Sequence, residues 1–304
     1  MGYSIDAVKA DRTFVREAIK ELPQISDGKE MSHFDLAFIS SLIKEKRPTK
    51  VVEVGTSAGG SCAVMLRSLH DLGIDAEVHV VDLLTYVYYD KTRDAGWLAI
   101  EEADLLGMER PHMHLGVVLP QVIEEIGEGI DFLVLDTTHS VPGEILEFLV
   151  ALPYLSDGAI VCMHDIRQQY RGAKYSTGFA TTLLMSSVVA DKLISTDDKR
   201  SHGYPNIGAF RVTEQTREHV ANVAQALTVP WNYRLDDAQL AHYRRGVAAN
   251  GEDVLWFFDH AVLLNEELWG RELLSRRTRR KIRLAISDGV GIVRDHAMGL
   301  LRRR

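Results

Sequence analysis

Cysteine is nearly absent from this chain: Cys62 and Cys162 are the only two in 304 residues. Each sits in an apolar run, so neither a disulfide framework nor a cysteine-based zinc site can be assembled, and a reducing, cytoplasmic setting is the economical expectation. The stretch from Met1 to Lys20 has no uninterrupted apolar segment, only charges alternating with apolar residues, which is neither a secretory signal nor a membrane span. A dinucleotide fingerprint, G-x-G-x-x-G, is also missing, because Ser57 stands where its second glycine would be. What is present is ordinary for a globular protein, with 46% hydrophobic and 26% charged residues, and disorder is excluded as a general description. The net charge of −8 is unevenly spread: residues 271–304 carry +8 and the rest of the chain −16. A basic tail on an acidic body suits an anionic surface or docking on the body itself.

The stretch Val51 to Ser61, Val-Val-Glu-Val-Gly-Thr-Ser-Ala-Gly-Gly-Ser, reads as strand, tight turn and helix. Gly55 and Gly59 allow a sharp turn and close approach of a ligand to the backbone, and the N–H groups opening the next helix face that ligand. Glu53 places a carboxylate at the strand's carboxyl end. A side chain at Ser57 and an acid at Glu53 both disfavour a pyrophosphate and suit a cationic ligand with an amino-acid end. Farther on, Glu77 to Leu83 reads as a second strand ending in Asp82, placed to accept hydrogen bonds from vicinal ribose hydroxyls. That feature serves NAD and S-adenosylmethionine (SAM) proteins alike.

The E-x-G-x-S-x-G-x-S pattern resembles motif I of the class I SAM-dependent methyltransferases, in which this loop wraps the methionine part of the cofactor. The resemblance implies that Glu53, Gly55, Thr56, Ser57, Gly59, Ser61, Asp82 and Asp136 form the SAM site. Later segments extend it. Ile130 to Asp136 reads as a buried strand followed by Thr137-Thr138-His139-Ser140, and Ala159 to Met163 as another ending in His164-Asp165. This order is similar to the branch, including macrolide-sugar and cephalosporin-pathway O-methyltransferases, whose fourth strand closes with Asp-x-x-His and fifth with His-Asp. Strands at Lys192 to Thr196 and Asn206 to Val212 match the antiparallel pair that ends such sheets. The resemblance covers about Val51 to Val212.

The expected architecture is therefore α/β: a Rossmann-like, seven-stranded, mostly parallel sheet with an antiparallel C-terminal hairpin. Residues 1–48 form a helical cover, with helices over Ile5 to Leu22 and Met31 to Lys44. Residues 49–213 form the SAM-binding domain, and residues 214–304 a helical extension with the basic tail. His33, Phe34 and Asp35 are placed to line a lid or simply to pack. Tyr86, Tyr88 and Tyr89 fall in a loop, where they stack on a ligand or pack. An apolar stripe from Ile282 to Leu301 beside arginines makes the tail a candidate for peripheral membrane contact.

Methyl transfer to a hydroxyl needs in-line positioning and either a general base or a cation that stabilises the developing alkoxide. His139 and His164 are the candidate bases, His139 preferred, with a structural imidazole as the alternative for each. Asp136 and Asp165 are the candidate Mg²⁺ ligands that the resemblance implies, although His164 stands where metal-dependent relatives often carry Glu or Asn. The expected activity is O-methylation of a sugar, glycolipid precursor or secondary metabolite: a small-molecule or glycan acceptor, no nucleic acid, and a homo-oligomer as one assembly. The alternatives are an NAD(P)-dependent oxidoreductase, disfavoured by Ser57 and the hairpin, and a non-catalytic methyltransferase-like scaffold, disfavoured by Glu53, Gly55 and Asp82.

Overall fold

The computed structural model describes residues 5–21, 31–168, 178–195 and 206–271. The chain divides into two compact units, Met1–Asp259 and His260–Arg304; of the second, residues 260–271 are described and are helical.

In the first unit the strands are β1 (Ile5–Ala7), β2 (Lys50–Val54), β3 (Glu77–Asp82), β4 (Tyr86–Val87), β5 (Asp90–Asp94), β6 (His112–Leu115), β7 (Ile130–Leu135), β8 (Leu155–Met163), β9 (Asp191–Ile194) and β10 (Gly208–Arg211). All but β4 and β5 form one sheet in the order β1-β9-β10-β8-β7-β2-β3-β6, parallel except for β10, which runs against both β8 and β9. This is the Rossmann-like, mostly parallel sheet expected, with its antiparallel hairpin. From β2 the chain steps outward to β3 and β6, then returns to β7 on the other side of β2 and continues to β8. The reversal between β2 and β7 is the switch point at whose carboxyl edge open α/β sheets bind ligands.

The sheet is buried on both faces, which is why its central strands read as nearly continuous apolar runs. Phe132 and Val134 of β7 join a core with Phe38, Ile39, Leu42 and Ile43 of α2 (His33–Lys46) and Met65, Leu66 and Leu69 of α3 (Gly60–Asp71). On the alternate face, Phe148 of the helix Gly143–Ala151 meets Phe210 edge-on at 5.3 Å. α2 begins where Ser32 and Asp35 cap each other reciprocally, the Asp35 N–H donating to Ser32 Oγ at 3.2 Å and the Ser32 N–H to Asp35 Oδ2 at 3.1 Å. Such a cap contributes about 1 kcal/mol, and here it also fixes Asp35 at the carboxyl edge of the sheet.

Several expectations change. The sheet has an eighth strand: Ile5 to Leu22 is not one helix, because Ile5–Ala7 pairs with β9 and helix α1 (Arg12–Glu21) starts only after Asp11 accepts a bond from the Phe14 N–H. Sheet pairing has overridden a helical spacing of apolar residues. The tyrosine loop is a small hairpin, β4 with β5. The tail stripe from Ile282 to Leu301 lies outside the described residues. Among the described residues no helix is long and apolar enough to cross a membrane.

Candidate active site

A cavity of about 1290 Å³ opens at the carboxyl edge of the sheet, walled by the turns after β2, β3, β7 and β8 and roofed by the start of α2. Its volume exceeds the ~300–1,000 Å³ typical of a single small-molecule site, so two ligands fit side by side.

The turn after β2 forms one wall. Gly55 has φ +85°, and a Cβ there would lie 2.2 Å from the Asp136 carbonyl oxygen, so glycine is required both conformationally and sterically. Gly55, Thr56 and Ser57 line the cavity, and the buried Ser57 Oγ has no hydrogen-bond partner. Glu53 points elsewhere. It is fully buried, and its two oxygens accept from Ser61 Oγ at 2.5 Å and Thr56 Oγ1 at 2.7 Å. Neither Glu53, Gly59 nor Ser61 lines the cavity; the carboxylate braces the turn from behind. Asp82 does line it, and also holds the turn: its Oδ2 accepts from the N–H groups of Thr56 (2.9 Å) and Ser57 (3.1 Å), and its Oδ1 from Leu84 (2.8 Å). Of the roughly four acceptor positions on a carboxylate, about one remains for a ligand hydroxyl.

The opposite wall gathers the other predicted residues. His139 Nε2 lies 3.5 Å from Asp136 Oδ1 and 3.4 Å from Asp165 Oδ2, and its Nδ1 lies 3.3 Å from Glu144. His164 Nδ1 lies 3.1 Å from Asp136 Oδ1, and its Nε2 lies 3.4 Å from Asp35 Oδ2. The two rings meet edge to face with centroids 6.3 Å apart. Burial opposes charge on both imidazoles, but the carboxylates around them win: the pKa of His139 is raised, chiefly by Glu144, and that of His164 is raised further by Asp136 and Asp35. His139 and Asp165 hold left-handed backbone at φ 56° and 55°, as does Ser57 at 51°. Three of the four non-glycine residues with positive φ among those described therefore sit in this cavity wall, where strain of about 1–3 kcal/mol each persists only under firm support. That support is visible: Ala180 N–H donates to the His139 carbonyl and Thr181 Oγ1 to the Asp165 carbonyl, both at 3.0 Å.

Asp136 and Asp165 do not, as arranged, fit Mg²⁺. Asp136 Oδ1 faces both imidazoles, Asp165 Oδ1 accepts from Asn206 at 2.6 Å, and Asp165 Oδ2 accepts from Gln168 at 3.0 Å while facing His139. The edge of His139 occupies the place between them that a hard, oxygen-preferring cation would need.

Other residues escaped the sequence reading: Glu147, Tyr233 and Tyr243 in the cavity wall, and Glu144 and Asn206 behind it. Glu144 accepts from the His139 N–H at 2.7 Å and from Thr137 Oγ1 at 2.9 Å, and its carboxyl lies below the usual range, burial being outweighed by His139. Glu147 bonds Tyr243, and burial pushes its pKa up to about 8. Tyr243 and Tyr233 line the same side. A signal for the two acids was present: Glu144 and Glu147 are the only charges in an otherwise apolar helix segment. Asn206 and the tyrosines carried none. His33, Phe34, Asp35, Tyr86 and Tyr88 do line the cavity; Tyr89 instead packs against the core.

Residues 52–166 match the family model described as a methyltransferase domain. No curated protein sequence matches the chain. Among solved structures it is similar to an O-methyltransferase from Bacillus cereus in complex with SAH (18% identity, 66% of this chain and 91% of that one, TM-score 0.44). It is similar also to an SAH-bound methyltransferase from Podospora anserina (14%, 69% and 91%, 0.46) and to a TDP-rhamnose 3'-O-methyltransferase of calicheamicin biosynthesis (13%, 66% and 94%, 0.42). The methyltransferase-domain match takes in the glycine turn after β2 and strands β3 to β8.

Proposed function

We propose that this chain is a SAM-dependent O-methyltransferase acting on a hydroxyl of a sugar, glycolipid precursor or secondary metabolite. The observation that carries the reading is the cavity's two-sided chemistry: the glycine turn and Asp82 on one wall, His139 among carboxylates on the other. SAM fits the first wall. Asp82 retains an acceptor position for a ribose hydroxyl, the unpartnered Ser57 Oγ belongs to the turn that would face the methionine end, and Asp136 lines the same cavity beside His139. When bound, SAM supplies an electrophilic methyl group on a positively charged sulfur.

The chain's own residues supply the rest. Tyr233, Tyr243 and Glu147 offer the acceptor polar groups on the far side of His139. His139 would take the hydroxyl proton on Nε2 as the acceptor oxygen is methylated, the methyl group and the departing thioether both being supplied by SAM when it is bound. Asp136, Asp165 and Glu144 stabilise the resulting imidazolium, and Glu144 orients the ring. His164, with both nitrogens against carboxylates, positions Asp136 and Asp35. An Mg²⁺ site at Asp136 and Asp165 is the second reading; it requires His139 to swing aside. Calorimetry with SAM and with NAD, followed by a mass-shift screen over sugars and phenols, tests the proposal. Binding of NAD in place of SAM, or a gain of methyl on no hydroxyl, would overturn it, and activity abolished by a chelator and restored by Mg²⁺ would favour the metal reading. Contact of residues 271–304 with an anionic membrane and self-association are further parts of the proposal, tested by liposome sedimentation with and without the tail and by analytical ultracentrifugation.

A further inference from the structure

At the opposite end of the sheet lies a second cluster of ionisable side chains, none of which borders the cavity. Glu77 and His79 are alternate residues near the start of β3, and His112 and His114 are alternate residues of β6, with His79 paired to His112 in register. Alternate residues share a face, so the two strands present all four side chains together. The His79 ring stacks on His112 at 4.8 Å and on His114 at 5.5 Å.

His79 is 4% exposed, and its two nitrogens are used differently. Nδ1 lies 3.2 Å from His114 Nε2, a hydrogen bond for one tautomer pair. Nε2 is buried with no hydrogen-bond partner, although Glu77 Oε1 lies 2.9 Å away. A buried polar atom left in this way is uncommon and calls for a partner. One atom each from Glu77, His79 and His112 lies within 4.8 Å of the others.

We propose that Glu77, His79 and His112 form a site for a borderline divalent transition ion, with Zn²⁺ the best match. Two imidazole nitrogens and one carboxylate oxygen are a familiar donor set for Zn²⁺ and its neighbours in the first transition row, and a poor one for Mg²⁺ or Ca²⁺. Coordination would place the ion between His79 Nε2 and Glu77 Oε1, which lie 2.9 Å apart outside hydrogen-bond geometry. Nδ1–H then donates to His114, the kind of outer contact that fixes tautomer and ring orientation in metal sites. Lys50 holds the other Glu77 oxygen at 3.1 Å and is itself anchored on the Ile126 carbonyl at 2.8 Å, so the carboxylate is aimed in advance. Glu77 and His112 are exposed, which leaves a path for the ion and a position for water. The ion ties β6, the edge strand, to β3 and leaves the cavity chemistry untouched.

The test uses the full chain, stripped with a chelator and titrated with ZnCl₂ by calorimetry and with CoCl₂ by visible absorption. One Zn²⁺ per chain should bind, with a rise in Tm and without competition from Mg²⁺, and Co²⁺ should show a nitrogen/oxygen ligand-field spectrum. His112→Ala, at an exposed position, should keep the fold and lose at least about tenfold in affinity together with the Tm rise; Glu77→Gln should weaken binding in the same direction. The cavity double variant Asp136→Asn/His139→Gln should bind as the parent does. Absence of binding to the intact chain, unchanged affinity in His112→Ala, or loss of binding in the cavity variant would each overturn the assignment.

Discussion

Gly55→Ala probes the packing on which the cavity depends. The backbone at +85° costs an alanine roughly 1–2 kcal/mol. Its Cβ, built on the present backbone, would stand 2.2 Å from the Asp136 carbonyl oxygen, far inside contact distance, so the turn after β2 and the end of β7 must separate. That movement strains the bond from the Asp136 N–H to the Val54 carbonyl, 2.9 Å long here, whose loss costs a further 1 kcal/mol or so. The total is about 2–3 kcal/mol. Gly73 supplies the control. It also has positive φ, +58°, but nothing lies within 4 Å of a Cβ there, so Gly73→Ala should cost only the backbone share, about 1 kcal/mol. Urea denaturation of the two variants and the parent reads the difference as a shift in midpoint at constant slope. Because Asp136 moves with the turn, Gly55→Ala should also weaken SAM binding, whereas Gly73→Ala should not. Equal midpoints for the two variants would refute the reasoning.

Asp82→Asn should lower SAM affinity by about tenfold or more, since the carboxylate both braces the turn through two N–H groups and keeps a position for ribose; charge-assisted bonds of this kind contribute about 1.5–3 kcal/mol each. Unaltered affinity by calorimetry would remove the ribose assignment. His139 accepts a proton only when neutral, and its pKa is raised in the folded chain, so kcat/KM should climb with pH along a limb lying above the ordinary imidazole value. His139→Gln should abolish that limb along with most of the rate. Glu147, with a pKa pushed up to about 8, binds its proton more tightly folded than unfolded. Its contribution is complete below the unfolded value near ~4.3 and is lost as pH rises toward 8, with a slope of up to ~1.36 kcal/mol per pH unit. Thermal melts across that window should show Glu147→Gln flattening the decline.

The sequence by itself determined seven strands of the sheet and the positions of the strand-end groups. Apolar runs a few residues long cannot be solvated, and small residues after Val54 leave the chain only a tight turn, so Gly55, Asp82, Asp136, His139, His164 and Asp165 were legible as residues at one edge of one sheet. What that periodicity does not encode is where each polar group points once distant segments close around it. Glu53 was expected in the cavity and instead accepts from the hydroxyls of Thr56 and Ser61 behind it, because a fully buried carboxylate needs hydrogen bonds from the groups packed around it. The contacts of His139 with Glu144, of Asp165 with Asn206 and of Glu147 with Tyr243 join residues brought together by helix packing and by the last strand. Likewise β1 is extended only because an open strand edge at β9 offers it bonds, and β3 and β6 stack three imidazoles only because they are neighbours. Local chemistry decides which elements form; long-range contact decides which titratable groups share a field, and with it their charge and use.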